Sequence, residues 1–375
     1  MKGWKRKRGQ AMLERRLPVG VLRWVGATGL AAGALGLTLL AAGVVLALGG
    51  YSPLRAGTAL VSGALGSPDA FLSVTLVRAV PLVLTGLAVS LAFRAGVWNI
   101  GAEGQLYAGA LLGAAVGLVS PGLPAPLHLP VLLLAAGLGG ALWAAVPALL
   151  KTKLGVGEVV TTLVLNFVAL NLTSWAVRGP LQENRGIFPQ SDQVAEAARL
   201  APLWEGTRLH WGFPVAVAVA VLLWWVLKYT PVGFRLRAVG AAPNAARVAG
   251  RIRVKPLTLG TFLVSGMVAG LAGGVEVAGV TYALYEGLSP GHGYTAIAVA
   301  LLARLNPLGV IISGTLFGGL EGGAGAMQRD VGIPAAWVRV IQAFVILSAL
   351  AIERWVRARP HSVFVHPPSA PGGAP

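Results

Sequence analysis

The most suggestive polar residues lie in the segment Asn99-Ile-Gly-Ala-Glu-Gly-Gln105, between two long apolar runs. Its carboxyl group and two side-chain amides could hydrogen-bond a polar solute. Charge at bilayer depth is costly and usually faces the interior of a helix bundle or a water-filled path. The glycines suit a broken helix or close packing, which lipid tolerates only where protein covers the backbone. The segment therefore predicts a transport pathway more than a scaffold.

Few other polar residues interrupt the apolar runs. Asn166 and Asn171 fall in the middle of one run, where each could hydrogen-bond a neighbouring helix or a sugar hydroxyl, and both interpretations stay open. Glu158 begins the same run, and a carboxylate there suits the positive end of a helix.

Four charged residues could neutralise one another at depth, because buried charges are usually paired. Arg78 and Arg339 could pair with Glu276 or Glu321. The candidate residues for a solute pathway are Asn99, Glu103, Gln105, Asn166, Asn171 and Glu321.

The sequence lacks the usual catalytic motifs. It contains no Gly-Lys-Ser/Thr for nucleotide phosphates and no His-Glu-x-x-His for zinc. It also has no cysteine, which excludes disulfides and thiolate chemistry. We therefore expect no catalytic residues, no metal and no bound cofactor in this chain, so that energy for pumping must come from elsewhere.

Composition sets the class of the elements that must position these residues. The chain has 375 residues, of which 55% are hydrophobic and 11% charged, with a mean hydropathy of +0.73. Soluble domains carry roughly 25% charged residues, so we predict an all-α polytopic membrane protein. The net charge of +17 raises the possibility of nucleic acid. We reject it because the basic residues cluster in short loops and tails, without interleaved aromatic residues.

About ten membrane crossings fit, since roughly 20 apolar residues cross a bilayer. The predicted spans are residues 25–48, 71–93, 101–119, 129–150, 156–177, 213–227, 257–282, 292–303, 308–327 and 335–352. The first is longer than the roughly 7–15 residues of a signal-peptide core, which favours a retained span. The eighth is short, so a re-entrant or broken helix and a tilted, buried span are equally supported.

The distribution of charge predicts the topology and the domains. Of the 30 Lys and Arg residues, 22 fall in segments assigned to the inside, which puts both termini in the cytoplasm. Residues 25–353 are the predicted membrane domain, with an extracytoplasmic insertion at 178–212 and a cytoplasmic loop at 228–256. Residues 1–24 are a basic cytoplasmic tail, and residues 354–375 are a cytoplasmic tail that we expect to be disordered.

Glycines recur every four residues in three of the predicted spans, which places them on one helical face. Such faces allow helices to approach closely, so they predict packing and carry no information about a ligand. The three sets are Gly109, Gly113 and Gly117; Gly266, Gly270 and Gly274; and Gly314, Gly318 and Gly322.

The basic loop after the sixth span contains signals for a short helix. Asn244 could cap its N-terminus and Gly250 could end it. Several arginines flank this helix, which indicates a docking site for a partner protein. Contact with lipid headgroups is the alternative interpretation.

Four segments together resemble one family. They are NIGAEGQ (99–105), GEVVTTLVLNFVALNL (157–172), GFRLRAVGAAPNAARVAG (233–250) and GYTAIAVALLARLNPLGV (293–310). In this order they are similar to the inner-membrane permeases of nucleoside and simple-sugar ABC importers. The resemblance extends from about residue 50 to residue 352, and the insertion at 178–212 is similar to that of the longer of two paired permeases.

The resemblance implies a ribose-importer-permease-like fold, with about ten transmembrane helices and broken or re-entrant segments. It implies no enzyme activity in this chain, and alternating access driven by a partner. Nucleosides are the expected substrates, with simple sugars as the alternative. The expected location is the bacterial plasma (inner) membrane.

The family also implies partners. These are a second homologous permease, a cytoplasmic ABC ATPase that uses ATP and Mg²⁺, and an extracytoplasmic lipid-anchored substrate-binding protein. The short helix of the basic loop would be the coupling helix that seats on the ATPase. The residues assigned to coupling are Arg237, Gly240, Pro243, Asn244, Arg247 and Gly250.

Two other functions remain as rivals. An ion-coupled secondary transporter would need a carboxylate for the coupling ion, for which Glu103, Glu276 or Glu321 could serve. A membrane-embedded enzyme, such as a lipid-phosphate transferase, would need acids or histidines clustered at one membrane face. The sequence spreads its acids thinly, which disfavours the enzyme.

Overall fold

A computed structural model describes residues 36, 40–119, 124–249 and 252–358. The tail at 1–24, most of the first predicted span, Gly250 and the last 17 residues lie outside the described residues. The described residues form helices and no β-strand. The helices are α1 (Leu40–Leu48), α2 (Pro53–Leu65), α3 (Val77–Arg94), α4 (Ala102–Val119), α5 (Ala125–Leu154), α6 (Glu158–Val177), α7 (Gly212–Tyr229), α8 (Pro231–Ala241), α9 (Pro243–Ala249), α10 (Val254–Glu276), α11 (His292–Leu302), α12 (Pro307–Val331) and α13 (Ala336–Ala358).

Among the described residues, six helical segments are long and apolar enough to cross a membrane, by length and composition. They are Ala70–Arg94, Ala125–Leu154, Glu158–Val177, Gly212–Tyr229, Val254–Thr281 and Pro307–Val331. Helices α1 and α2 together could count as a seventh span. The predicted polytopic helical class is therefore confirmed, whereas the predicted number of ten crossings is not.

Two of these spans contain π-helical turns. Residues Ala70–Leu76 form a π-helix that runs directly into α3, and residues Val277–Thr281 form another that extends α10. The predicted boundaries at 71–93 and 257–282 are thus close to the observed ones. Such π turns inside helices are frequently found at functional sites.

The eighth predicted segment forms the short helix α11, which we call the half-span for its length. Helix α11 has 11 residues, which gives a length of about 16 Å, against a hydrocarbon core of about 30 Å. It ends in a tight turn where Arg304 and Leu305 have positive φ of 51° and 58°. The Arg94 Nε donates a hydrogen bond of 2.7 Å to the Leu305 carbonyl, which holds this turn against the end of α3.

Residues 50–339 form one compact unit, in which α10 lies at the centre and packs against α3, α4 and α5. The packing follows the predicted glycine faces. A Cβ atom at Gly270 would collide with the backbone of Ala136 and Gly140 on α5. One at Gly109 would collide with the Gly270 backbone. These glycines therefore let three helices approach closely, which confirms the prediction of packing faces.

Helix α12 packs in the same unit against α2 and α3. Gly318 contacts the backbone of α3 near Ala79, and Gly323 contacts the carbonyl of Leu60 on α2. The second unit consists of residues 1–49 and 340–375, of which α1 and the greater part of α13 are described.

The stretch 178–212 is folded onto the segment that follows α10. The Ser191 N–H donates to the Leu284 carbonyl at 2.7 Å, and the Val194 N–H donates to the Tyr282 carbonyl at 2.8 Å. Arg178 forms an ion pair with Glu286. This ion pair, and to a smaller degree a hydrogen bond from the Ser174 hydroxyl, hold the pKa of the Glu286 carboxyl below its usual value. The inserted stretch and the connection from α10 to α11 therefore lie at the same end of the helix bundle.

Candidate functional site

Asn99 and Gln105 bond to each other rather than facing a path. Each amide donates to the other's side-chain oxygen at 3.0 Å, and the Asn99 Nδ2 also donates to Ser265 Oγ on α10 at 2.9 Å. Asn99 Oδ1 further accepts the Gly101 N–H at 3.0 Å. Both side chains are buried. These bonds stabilise the irregular link between α3 and α4. Its buried backbone N–H and C=O groups have no water to bond to, so they need partners within the protein.

Asn166 reaches the same link from α6. Its Oδ1 accepts the Gly104 N–H at 2.8 Å, and its Nδ2 donates to the Ile100 carbonyl at 3.0 Å. The first N–H groups of a helix have no partner within it, so Asn166 completes the N-terminus of α4 from another helix. We call Asn99, Gln105, Asn166 and Ser265 the Asn99 network.

Glu103 stands beside this network and holds the start of the half-span. Its Oε2 accepts the Gly293 N–H at 2.5 Å, and its side chain is 2% exposed. Ser289 Oγ accepts the N–H groups of Gly291 and His292 at 3.1 and 2.9 Å. Glu103 and Ser289 together satisfy the N-terminal backbone of α11, a position where a carboxylate is also favoured by the helix dipole.

Asn171 is separate from the other predicted pathway residues. It is exposed on α6, and its amide donates to the Phe167 carbonyl of the same helix at 2.8 Å. The surrounding face is apolar, with Phe167 and Trp175 also exposed.

A second polar group lies near the end of the bundle that carries the 178–212 stretch. We call Arg78, Glu276, Tyr285, His292 and Glu321 the Arg78 cluster. Arg78 and Glu321 both act electrostatically on Glu276. The stem of Arg78 lies over Gly322, where a Cβ would be 3.8 Å from its Cδ. The charge of Arg78 thus acts on Glu276, and the pairing of Arg78 with one of the acids stays a prediction.

The members of the cluster differ in exposure. Arg78 is exposed, Glu276 is 9% exposed, and the side chains of His292 and Glu321 are 6% and 15% exposed. The His292 Nδ1 lies 3.7 Å from Glu321 Oε2. Burial raises the pKa of Tyr285, the Glu276 carboxyl raises it further, and Arg78 opposes this rise.

The sequence reasoning missed His292 and Tyr285 as site residues, treated Arg78 only as a neutralising charge, and considered Glu276 only as a neutralising charge or a coupling-ion carboxylate. In the structure, π turns precede α3 and follow α10, close to Arg78 and Glu276. Hydrophobic periodicity in the sequence does not reveal such turns, so it gave no signal for these two residues. In the residues that the structure describes, no group of three His, Cys, Asp or Glu side chains could hold a metal ion.

The basic loop forms two helices, α8 and α9. Helix α9 begins at Pro243, whose fixed φ suits the first helical position. Asn244 therefore lies inside the first turn, and the prediction that it is the N-cap was wrong. Gly250, the predicted stop, lies outside the described residues.

Helix α9 has one buried face and one exposed face. Ala246 is buried, whereas Pro243, Asn244, Arg247 and Val248 are exposed. This arrangement leaves polar and apolar side chains of α9 exposed.

Arg237 and Gly240 on α8 lie against the end of α3 instead. Arg237 is half-buried and interacts electrostatically with Arg94. A Cβ at Gly240 would collide with the Arg94 carbonyl, so glycine is needed for this contact. The α8–α9 segment is therefore in direct contact with the residue that holds the turn between α11 and α12.

Residues 71–350 match the family described as "Branched-chain amino acid transport system / permease component". The chain belongs to this permease family. The match covers the span that contains Arg78, the Asn99 network, α8 and α9, and the half-span α11.

Three relatives cover most of this permease. The glucose ABC transporter permease protein of Haloferax volcanii is 44% identical over 77% of this chain and 78% of its own. The guanosine ABC transporter permease protein NupP of Bacillus subtilis is 37% identical over 83% and 89%. The nucleoside ABC transporter permease protein NupB of Lactococcus lactis subsp. cremoris is 32% identical over 82% and 86%.

The last two organisms each have a second matching permease, NupQ in Bacillus subtilis and NupC in Lactococcus lactis, both 28% identical over 65% of this chain. This permease is thus more similar to one member of each pair. No solved structure matches it.

Proposed function

We propose that this permease is the membrane subunit of an ATP-driven importer that translocates nucleosides by alternating access. The observation that carries the proposal is its similarity to the guanosine and nucleoside permeases, at 37% and 32% identity over 83% and 82% of the chain. The absence from the sequence of a phosphate-binding Gly-Lys-Ser/Thr motif supports an ATPase in a partner subunit.

A simple-sugar importer is the second candidate. It is favoured by the 44% identity to the glucose permease of Haloferax volcanii. Nucleosides and sugars share a hydroxylated ring, so the two candidates require related chemistry from the membrane domain.

The proposed assembly contains a second homologous permease, which the paired permeases of related organisms support. It also contains a cytoplasmic ABC ATPase that binds ATP and Mg²⁺, and a lipid-anchored substrate-binding protein on the opposite side. We place the complex in the bacterial plasma membrane with both termini of this chain in the cytoplasm. The excess of basic residues in the loop from 228 to 256 supports this orientation.

The geometry of α8 and α9 supports a mechanical role for the basic loop. The exposed residues of α9 would meet the ATPase. Gly240 contacts the Arg94 carbonyl, and Arg94 bonds to Leu305 at the turn after α11. A displacement of α9 that moved α8 would therefore reach the half-span through two direct contacts, which form a contiguous path of the kind that can carry coupling.

Of the six predicted pathway residues, we propose that Glu321 contacts the solute. Asn99, Gln105, Asn166 and Glu103 bond to the protein's own backbone and side chains, and we propose that they hold the pathway in shape. An ion-coupled secondary transporter would use one of the same carboxylates. Only a test of the energy source, ATP or an ion gradient, separates it from the ABC importer.

The first experiment measures uptake of radiolabelled nucleoside into vesicles that contain this permease, the second permease and the ATPase, with binding protein supplied. We expect nucleoside uptake with ATP and none without it. ATP-dependent uptake of glucose alone would establish the sugar alternative. Uptake that survives loss of ATP but collapses with the proton gradient would establish the secondary transporter.

Coupling is tested by Arg247→Glu on α9, with Arg185→Glu as a control because it makes the same charge change on an exposed residue of the 178–212 stretch. We expect Arg247→Glu to reduce co-purification of the ATPase about tenfold or more, because a buried like-charge contact costs several kcal/mol. Arg185→Glu should leave it unchanged. Equal co-purification of both variants would remove α9 from the proposed interface.

A further inference from the structure

Arg78 is in an unusual place for an exposed charge. It lies eight residues into the span Ala70–Arg94, about 12 Å along the helix axis from its start. An arginine at this depth does not face hydrocarbon without a large cost. Its exposed face therefore meets either an aqueous path or another protein.

The groups around Arg78 come from four separate segments of the chain. Glu276 ends α10, Glu321 lies on α12, His292 begins α11, and Tyr285 belongs to the connection between α10 and α11. The cluster thus gathers charge donors and acceptors at the point where the half-span begins, although the segments are far apart in sequence.

One distance in the cluster is too long for a direct hydrogen bond. The His292 Nδ1 and Glu321 Oε2 are 3.7 Å apart, and within the described residues this nitrogen has no hydrogen-bond partner although its side chain is 6% exposed. Polar atoms at such a separation are suited to bridging by an oxygen that both can contact. A solute hydroxyl is an oxygen of this kind, since it donates and accepts.

We propose that the Arg78 cluster binds adjacent hydroxyl groups on the sugar ring of the transported solute. The inference rests on the proposed function and names the site that reads the substrate. Carboxylates of Glu276 and Glu321 accept hydrogen bonds from the hydroxyls, while Arg78 and His292 donate to them. Nucleosides and glucose both carry such a pair of hydroxyls, whereas only nucleosides carry a nucleobase.

The charge of the cluster selects against phosphorylated solutes. One arginine faces two carboxylates, so an added phosphate would meet excess negative charge. The cluster therefore fits a neutral polyol and disfavours a nucleotide or a sugar phosphate. A nucleoside and a free sugar both carry the pair of adjacent hydroxyls, so either could be the solute.

The test uses the assembled importer and compares its variants with the same binding protein at the same concentration. The selectivity of the binding protein itself then cancels between the variants. The variants are Arg78→Gln and Glu321→Gln. The controls are Arg185→Gln and Glu205→Gln, which are exposed residues of the 178–212 stretch outside the cluster. Competition against radiolabelled adenosine is measured with adenosine, 2′-deoxyadenosine and 3′-deoxyadenosine, and with adenosine monophosphate.

We expect the unaltered importer to prefer adenosine over each deoxy analogue by about tenfold or more, because a missing hydroxyl leaves buried polar groups unpaired. In Arg78→Gln and Glu321→Gln the preference should fall to within about threefold of unity. The controls should keep it, and the monophosphate should not compete. If glucose is the solute transported, 2-deoxyglucose replaces the deoxynucleosides and the same fall is expected.

Four results would overturn the inference. A uniform loss of uptake in both variants with unchanged preference would mean that the cluster is not a diol site. Loss of the second permease on purification would mean that Arg78 faces that subunit instead. ATP-dependent uptake that ignores the hydroxyls even in the unaltered importer would refute the diol site and leave the proposed function intact. Absence of ATP-dependent uptake of either solute would refute the proposed function, and the site with it.

Discussion

The Asn99 network and the Arg78 cluster are two polar regions within one apolar bundle, and they are satisfied in different ways. In the network, every side-chain contact described joins one part of the protein to another, and Asn99, Gln105 and Asn166 are fully buried. In the cluster, Arg78 is exposed and the His292–Glu321 separation is 3.7 Å. The first region closes an irregular backbone, whereas in the second the buried His292 Nδ1 has no hydrogen-bond partner among the described residues.

Polar side chains at membrane depth therefore have two distinct causes. A broken helix needs side chains to replace its missing backbone bonds, because no water is present to do so. A solute site needs side chains whose bonds are not already taken. Only the location of the partners separates these cases, and partners such as Asn166 and Gly104 are 62 residues apart in the chain.

The largest expected effect comes from removing a network amide. Asn166→Leu leaves the Gly104 N–H and the Ile100 carbonyl buried without a partner, at about 1–3 kcal/mol each. We expect a marked fall in the midpoint of thermal unfolding of the purified protein. Asn171→Leu is the matched control on the same helix, since Asn171 is exposed and bonds only to its own turn. Equal loss in the two variants would contradict the structural role of the network.

Glu103 tests whether the half-span depends on the network side of the bundle. Glu103→Leu removes the acceptor of the Gly293 N–H and should cost about 1–3 kcal/mol. It should also lower transport, because His292 of the Arg78 cluster directly precedes Gly293. Glu103→Gln keeps an acceptor oxygen, so we expect assembly to be retained and transport to fall less. Unfolding midpoints and ATP-dependent uptake measure the two effects, and identical behaviour of Leu and Gln would argue against this account.

The sequence was informative where local pattern determines structure. The glycine faces at Gly266 and Gly270 and the short length of α11 were predicted, because close packing and helix length follow from spacing. The role of Glu103 at the start of α11 could not be predicted, since Glu103 and Gly293 meet only in the folded chain. The pairing of Arg78 with Glu276 was anticipated from charge alone, without His292 or Tyr285.

His210 provides a third case, a buried histidine just before α7. Its Nδ1 accepts the Gly212 N–H at 3.1 Å, and its ring packs against Gly279. Burial, and to a smaller degree Arg208, lower the pKa of His210 to about 4. Because the folded state resists protonation, stability should be complete above about pH 6.5 and fall as the pH drops towards 4.

Linkage gives a loss of about 2 kcal/mol at pH 5. His210→Asn supplies an acceptor that does not titrate in this range, so the difference between unfolding midpoints at pH 7.5 and 5 should shrink in the variant. A pH dependence that is the same in both proteins would assign the acid sensitivity to other groups. The result would confirm that this histidine, like the network amides, is engaged by the protein itself.

The smallest expected change in stability is at Arg78, and it gives the comparison its sharpest test. Arg78 is exposed, so Arg78→Gln should alter the free energy of unfolding less than Asn166→Leu does, although it removes the charge that acts on the buried Glu276. Its glutamine retains hydrogen-bonding capacity but loses the charge that balances Glu276. A substitution that leaves the unfolding midpoint of the assembled importer unchanged while removing its preference for hydroxylated solutes would be the reverse of Asn166→Leu, which should lower that midpoint markedly. If Arg78→Gln destabilises the protein as strongly as Asn166→Leu, the two regions are alike, and the cluster is a second structural network.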